Sequence, residues 1–480
     1  MATRNRREKG MINLFEYQNK VAAQESFEGL EGFLDEIWSA REKNSFYAER
    51  DDDRVEAQRF LQFIYKTGEL KSNKYVGVIH FKGKKINLLP KIFYDSQTEY
   101  SAVEVTQIHN HILWWLSYCS KIKFPNYKTS LGDTKSDFFE VLIYLFSKYT
   151  RELLNSSIYQ QYEDINRELT FIKGRLNVNE YISKNLSTGR WHKLNCTFDA
   201  FVFDNEFNRI IKYVATLLFN NTESPDNKKN LREILFILDE VLDERATAEQ
   251  CAKISFNPMF GEFEVVRDYC LLFLTNCISF DYKNDLKLFA FLLPMEYVFE
   301  DFIFGFIDKE IERVTAKAQR SDTYLAEEKE SKLFRLQPDL WIKTEHKSLI
   351  ADTKYKIVYS DEKDPKKGIS QTDLYQMLAY AVRFNVDEII LFYPNTVSQE
   401  QEGATALTIK DALAGDKEIL IKAFQLPIIN RALLSSPLKQ RTDLSELFQS
   451  TRQDLKCRIE EILVPLIVDE VEEESLTNNN

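Results

Sequence analysis

Glycine and proline are scarce in this chain, 14 and 11 of 480 residues, which excludes collagen-like and linker-rich architectures. Cysteine is sparse too. The six thiols, Cys119, Cys196, Cys251, Cys270, Cys277 and Cys457, form no C-x-x-C pair, so neither a zinc site nor a disulfide framework is expected. Unpaired thiols fit a reducing cytoplasm. Of only five histidines, His109 and His111 form H-x-H inside an expected helix, where residues two apart point away from each other, so no metal site is read there. Long apolar runs are absent. The best, residues 270–280, is broken by Thr275, Asn276 and Ser279 and is about half of the ~20 residues a bilayer span needs, so it is read as a buried helix, with no membrane contact. Arg4, Arg6, Arg7 and Lys9 open the chain without an apolar core behind them, which does not read as a secretory signal. No G-x-x-x-x-G-K-[ST] loop is present, so the chain is not expected to bind nucleotide itself.

What is present is ordinary globular material, 44% apolar and 29% charged, with 35 Phe and 23 Tyr. The length suggests roughly two to four domains. A net charge of −12 disfavours nucleic acid at first sight, but the charge is uneven. Asp469, Glu470, Glu472, Glu473 and Glu474 crowd an end expected to be disordered, whereas Lys66, Lys71, Lys74, Lys82, Lys84, Lys85 and Lys91 share a stretch with Glu69 as its only acid. Local patches therefore matter more than the sum.

Periodicity divides the chain into an α+β multidomain protein. Residues 1–100 form an amino-terminal β-containing domain, in which 76–81 and 85–89 flank a hairpin turn at Lys82-Gly83-Lys84 and Pro90 ends the second strand. Residues 101–285 read as a mainly helical middle domain. Phe138, Val141, Leu142, Leu145 and Phe146 share one helical face, as do Leu231, Ile234, Leu235, Leu238, Val241 and Leu242. Asp204-Asn205 opens a third helix, and residues 171–176 make a short strand or turn. Residues 286–440 form a carboxy-terminal α/β domain, followed by a helical end and acidic tail over 441–480.

The carboxy-terminal domain carries the chemistry. Pro294 starts a helix with Met295, Val298, Phe299, Phe302, Ile303, Phe306 and Ile307 on one stripe and Glu300 at its margin. Residues 333–342 are β-prone but broken by Pro338, and residues 348–357 form a second strand after a polar turn. Ser370 and Asp373 resemble a capping box that opens a helix over 374–384, and 388–393 is a short apolar strand. Asp352, Lys354 and Lys356 alternate along one strand face, with Ala351, Thr353, Tyr355 and Ile357 on the other, packing on the two helices. A hairpin would bring Asp339 close to Asp352. Two carboxylates at one point suffice for Mg²⁺, which keeps several waters, and a neighbouring lysine can serve an attacking water or stabilise developing charge. Asp352 interrupts an apolar run, an awkward place for a charge that only needs solvent. Gln376 and Tyr380, four apart, lie on one helix face.

Pro338-Asp339, Asp352-Thr353-Lys354 and Gln376 with Tyr380 resemble the PD-(D/E)XK nuclease superfamily, in its Q-x-x-x-Y variant. More narrowly, 294–302, 337–340, 352–356 and 373–380, with 89–92, Gly174-Arg175-Leu176 and Asp204 with Asn208-Arg209 upstream, resemble the McrC family. These are the nuclease subunits of McrBC-type, modification-dependent (type IV) restriction systems. The resemblance covers most of the chain. It implies that Asp339 and Asp352 hold Mg²⁺, with Mn²⁺ tolerated, and that Lys354 serves the water, although Lys356 projects from the same strand face and spacing alone leaves the choice between the two lysines open. Glu300 would be an accessory acid, its other reading being a solvated helix margin, and Gln376 and Tyr380 would position DNA or the lysine. It further implies double-stranded DNA as substrate and a GTP-hydrolysing AAA+ partner, McrB-like, engaged through the amino-terminal part and stimulated by this chain. The alternatives are a free-standing nuclease and a non-catalytic activator of the ring.

Overall fold

The structure is a computed structural model. It describes residues 11–22, 61–64, 69–81, 84–96, 100–120, 138–281, 287–312, 314–317, 323–328, 331–343, 348–358, 366, 369–399, 402–411, 417–437 and 442–463. The basic start, the acidic tail and the Lys82-Gly83 turn lie outside them. The chain is mixed α/β with several sheets, and divides into one unit of residues 1–141 with 275–480 and another of 142–274.

The first unit contains two larger sheets. In one, Met11–Phe15, Lys84–Leu89, Tyr75–Phe81, Lys287–Pro294 and Cys277–Asp281 lie side by side in that order. The expected hairpin is there, pairing Gly77 with Leu88, and its second strand stops at Leu89 before Pro90. The run read as one buried helix over 270–280 instead changes type within itself. A helix ends at Asn276, and Cys277–Asp281 pairs antiparallel with Lys287–Pro294, because a neighbouring strand supplies the ladder that the local pattern could not announce. The helix Ala102–Tyr118 is closed by a reciprocal Ser101/Glu104 capping box. Its His111 accepts from the Asn430 amide at 2.9 Å, with its other ring nitrogen 2.7 Å from the Gln107 carbonyl. Burial pushes that imidazole down to about 4, so it is a neutral structural bridge.

The second sheet of this unit runs Thr315–Lys317, Leu340–Lys343, Ser348–Thr353, Glu388–Pro394, Lys417–Leu426, Ala404–Asp411. Leu349, Ile350 and Ala351 are fully buried, as are Ile389 to Tyr393, because both faces of these middle strands are covered. Ile350, Ile389 and Leu391 pack with Met377, Tyr380 and Ala381 of the helix Gln371–Phe384. On the other side Tyr355 meets Phe299 of the helix Met295–Glu310 with ring centroids 5.9 Å apart. The two helices thus cover opposite faces, rather than both covering the face opposite the charges. The β-prone stretch 333–342 is two strands in different sheets. Among the described residues Ser331–Arg335 pairs only with Tyr324–Glu328, and the ladder of the larger sheet begins at Leu340, after Pro338, which has no amide hydrogen to donate.

In the second unit, the helix Glu206–Asn221 starts as expected, with Asn205 capping the Asn208 amide at 3.0 Å. The next helix, Pro225–Ile237, stops short of Val241 and Leu242. The region also holds a sheet that its helical periodicity did not announce, Gln161–Leu169, Leu194–Val202 and Arg175–Leu176. Gln161–Leu169 is polar and mostly exposed, so no apolar alternation marks it as a strand. The upstream motif residues hold this unit's local geometry. Gly174 has φ +68° and a Cβ there would lie 2.4 Å from the Thr197 carbonyl oxygen. Arg209 grips Asp204 through two bonds of 2.8 and 3.1 Å, and the Asn208 side-chain amide donates to the Phe203 and Tyr159 carbonyls at 2.7 and 2.9 Å.

Candidate active site

The hairpin places the two aspartates. Leu340 is registered with Ala351, so one step further Asp339 stands across from Asp352, just where the ladder ends. Asp352 is 1% exposed and Asp339 half-buried. Asp339 is fixed by Thr353, whose backbone amide and hydroxyl donate to its Oδ2 at 2.9 and 2.8 Å. Thr353 was expected to face the helices. It reaches Asp339 because Ser348–Thr353 ends there and the strict alternation of the strand ends with it. The backbone then rejoins the neighbouring strand, with the Lys354 amide donating to the Phe392 carbonyl at 2.8 Å.

Lys354 is ion-paired with Asp352 and donates to Gln376 Oε1 at 3.2 Å. Gln376 in turn donates to the Tyr380 hydroxyl at 2.8 Å, and that hydroxyl donates to the Gln337 carbonyl at 3.0 Å. A single chain of bonds therefore runs from the ammonium, across one helical turn, to the segment that carries Asp339. Lys356, two residues on, takes another partner. It bonds both carboxylate oxygens of Asp373 at 2.7 Å and the Ser370 hydroxyl at 3.4 Å. Ser370 caps the helix by accepting from the Asp373 amide, but the Asp373 side chain does not return to the cap as a capping box requires; it holds Lys356 instead. Sequence spacing puts Lys354 and Lys356 on the same face; helix position separates them.

Electrostatics follow from burial. The Asp339 carboxyl lies well above the usual carboxylate range, first through burial, then through the nearby charges of Asp352 and Glu300. Asp352 is raised by burial, against the pull of Lys354, with Glu300 raising it further. For Lys354 burial acts downward, but Asp352 and Asp339 outweigh it, so the ammonium sits above the ordinary lysine value and stays charged at neutral pH. Glu300 is buried, not a solvated helix margin, and acts on both aspartates. Among the described residues, no three His, Cys, Asp or Glu side chains form a ligand cluster, so Glu300 stands near the pair without completing one.

Two carboxylates meeting beside an ammonium suit a hard divalent cation, which needs one or two protein oxygens and fills its octahedron with water and phosphate. The fit has one direct mark. Asp352 Oδ1 is buried with no hydrogen-bond partner, although a buried carboxylate oxygen normally has one. Both donors to Asp339 end on Oδ2. The arrangement therefore offers buried, unsatisfied anionic oxygen on one strand and a half-exposed carboxylate on the other.

A mixed α/β chain with this set of side chains has what metal-assisted hydrolysis requires. The chain belongs to the family of McrBC 5-methylcytosine restriction system components, whose model matches residues 70–394. Over 293 residues, 59% of this chain and 82% of the other, it is 23% identical to the type IV methyl-directed restriction enzyme EcoKMcrBC of Escherichia coli (strain K12). Its fold is similar to a chain of the refined half-complex from the tetradecameric assembly of Thermococcus gammatolerans McrB AAA+ hexamers with bound McrC, with a TM-score of 0.61 and 16% identity, covering 94% of this chain and 100% of that one. No helix among the described residues is long and apolar enough to cross a membrane.

Proposed function

We propose that this chain is the endonuclease subunit of a modification-dependent restriction system, a PD-(D/E)XK enzyme that hydrolyses phosphodiesters of double-stranded DNA with Mg²⁺. The observation that carries the reading is the convergence of Asp339, Asp352 and the Lys354 ammonium at the open end of one hairpin. Asp339 and Asp352 would hold the cation, which when bound supplies Lewis-acid polarisation of the phosphate and a lowered pKa for the attacking water. Lys354, held against Asp352, would orient that water and stabilise negative charge as it develops. Thr353 keeps Asp339 at its station, and the Gln376–Tyr380 chain holds Lys354 against Asp352. Pre-set geometry of this kind lowers the barrier because nothing has to reorganise at the moment of reaction.

A partner completes the reading. The chain lacks a phosphate-cradling loop, and the solved relative comes from an assembly of McrB AAA+ hexamers with bound McrC. An McrB-like AAA+ ring is accordingly the partner of this chain, which activates it for GTP hydrolysis and is activated by it for cleavage. The test uses the chain with its partner ring, GTP, Mg²⁺ and modified duplex DNA. Asp339→Ala, Asp352→Ala and Lys354→Ala should each lower cleavage by about 10²-fold or more, the usual scale for removing an essential charged group, while ring binding and GTPase stimulation persist. Wild-type cleavage by Asp352→Ala would point to a non-catalytic activator. Cleavage by the chain with Mg²⁺ alone would point to a free-standing nuclease.

A further inference from the structure

The segment leading into Asp339 contains an exposed aromatic residue in an unfavourable conformation. Tyr324–Glu328 and Ser331–Arg335 form a two-stranded ribbon that belongs to neither larger sheet. Its ladder pairs Tyr324 with Arg335 and Ala326 with Leu333, and Phe334 stands between those pairs with φ +57°. A bulky residue in the left-handed region is strained by about 1–3 kcal/mol, a conformation that glycine or asparagine adopts far more easily. Yet Phe334 is 61% exposed, with Leu333 and Leu325 of the same ribbon also exposed, so burial of its ring does not compensate for the strain. Strain at an exposed aromatic is the kind of feature that function retains and folding alone does not.

Position and charge indicate what it meets. The ribbon is joined to the site by the backbone itself. The Leu336 amide donates to the Thr323 carbonyl at 2.9 Å, and the Gln337 carbonyl accepts from the Tyr380 hydroxyl that leads to Lys354. Asp339 is five residue steps along the chain from Phe334, a span of at most about 18 Å, or roughly five phosphates along one DNA strand at ~3.4 Å each. Glu327 is registered with Lys332, which balances its charge, whereas exposed Arg335, registered with Tyr324, lies at the end joined to the site. A two-stranded ribbon fits a DNA groove, and phenylalanine is among the residues that wedge against base steps.

We infer that this ribbon is a DNA-contacting element of the nuclease site, with Phe334 packing against a base step a few nucleotides from the scissile phosphate and Arg335 on the adjoining backbone. The inference rests on the nuclease reading above and adds to it the surface that grips the duplex. The ring on this strained backbone is exposed, and duplex DNA is the occupant that would desolvate it.

Binding can be measured apart from cleavage. The full chain is titrated with a fluorescent duplex in the absence of divalent cation, and melting temperature is followed in parallel. Phe334→Gly and Phe334→Asn both relieve the strain while deleting the ring. Each should leave the melting temperature equal or higher yet weaken DNA binding about tenfold, within the scale of aromatic–base contacts. Arg335→Ala should weaken binding and lower the slope of log affinity against log salt by about one. In the assembled complex, the two Phe334 variants should raise KM for DNA more than they lower kcat. Unchanged DNA affinity in either Phe334 variant overturns the inference, as does a fall in melting temperature in both, which would make Phe334 a structural residue. Loss of ring binding with DNA affinity intact overturns it in favour of a protein partner. None of these outcomes bears on the nuclease reading, which stands or falls with Asp352→Ala.

Discussion

Two of the places in the first unit where a buried carboxylate lies beside a lysine differ in their chemical surroundings. At one, Glu16 follows the strand Met11–Phe15, accepts from the Lys91 backbone amide at 3.3 Å, and lies by the Tyr355 hydroxyl. Lys91 Nζ stands 4.5 Å from the centre of the Tyr355 ring. Burial pushes the Glu16 carboxyl up to about 8 in spite of Lys91, and pulls Lys91 below its ordinary value in spite of Glu16. At the other, Asp352 is raised by burial in spite of Lys354. Judged by its titration, either region is a candidate site. What separates them is convergence. Asp352 has a second carboxylate directly across the hairpin, half open to solvent, and a buried oxygen without a partner, whereas Glu16 is met by a tyrosine and a backbone amide, with the Glu296 charge as the weakest of its influences. A displaced pKa records desolvation; a gathering of like charges that must be neutralised records a site.

The largest effect expected from this comparison concerns cleavage itself. Asp352→Asn keeps the size of the side chain and removes its charge, and should lower DNA cleavage by about 10²-fold or more, while Glu16→Gln should stay within about threefold of wild type. Comparable losses in the two variants would erase the distinction and make the Glu16 junction part of the catalytic apparatus. A smaller contrast lies between the two lysines. Lys354→Ala removes the ammonium paired with Asp352, whereas Lys356→Ala releases Asp373, so the first should cost cleavage at least about tenfold more than the second. If Lys356→Ala proves as damaging, the pairing with Asp373 has been misjudged as structural.

The smallest effect is one of stability against pH. Glu16 has a folded-state pKa of about 8 and an ordinary value of 4.5. A raised carboxyl pKa means that the folded state holds its proton more tightly, so the contribution is complete below about 4.5 and is lost as pH rises through about 8. The melting temperature of the wild-type chain should therefore decline from pH 5 towards pH 8.5, and Glu16→Gln should decline less, by roughly a few degrees at the alkaline end. Parallel melting profiles for the two proteins would mean that Glu16 ionises normally.

Much of the site was legible because it depends on short spacings. The order helix, hairpin, helix, strand around 294–394, the break at Pro338 and the pairing of Asp339 with Asp352 follow from local patterns, and the matching of the McrBC family over 70–394 agrees with the resemblance. The strands Thr315–Lys317, Tyr324–Glu328, Ala404–Asp411 and Lys417–Leu426 went unread. So did the sheet Gln161–Leu169 with Leu194–Val202: the first strand is polar and mostly exposed, so it carries no apolar alternation, whereas Leu194, Cys196, Phe198, Ala200 and Val202 of the second do alternate within a stretch read as helical. Thr353 gave no signal either, since an alternating strand turns it from the aspartates; only the end of the strand lets its hydroxyl reach Asp339.

By itself, then, the amino-acid order settled which side chains share a strand or helix face, since backbone geometry repeats every 2 or 3.6 residues and needs no distant partner. It thereby determined that Asp352, Lys354 and Lys356 alternate, and that Gln376 stacks below Tyr380. Only the tertiary structure decided which lysine meets the aspartate, that Asp373 takes the other, that Glu300 is buried, and that Glu16 and Lys91 close over Tyr355. Lys356 and Asp373 are 17 residues apart, and Lys91 and Tyr355 more than 250. Such pairings follow from how sheets and helices pack against one another, and no local repeat encodes that packing.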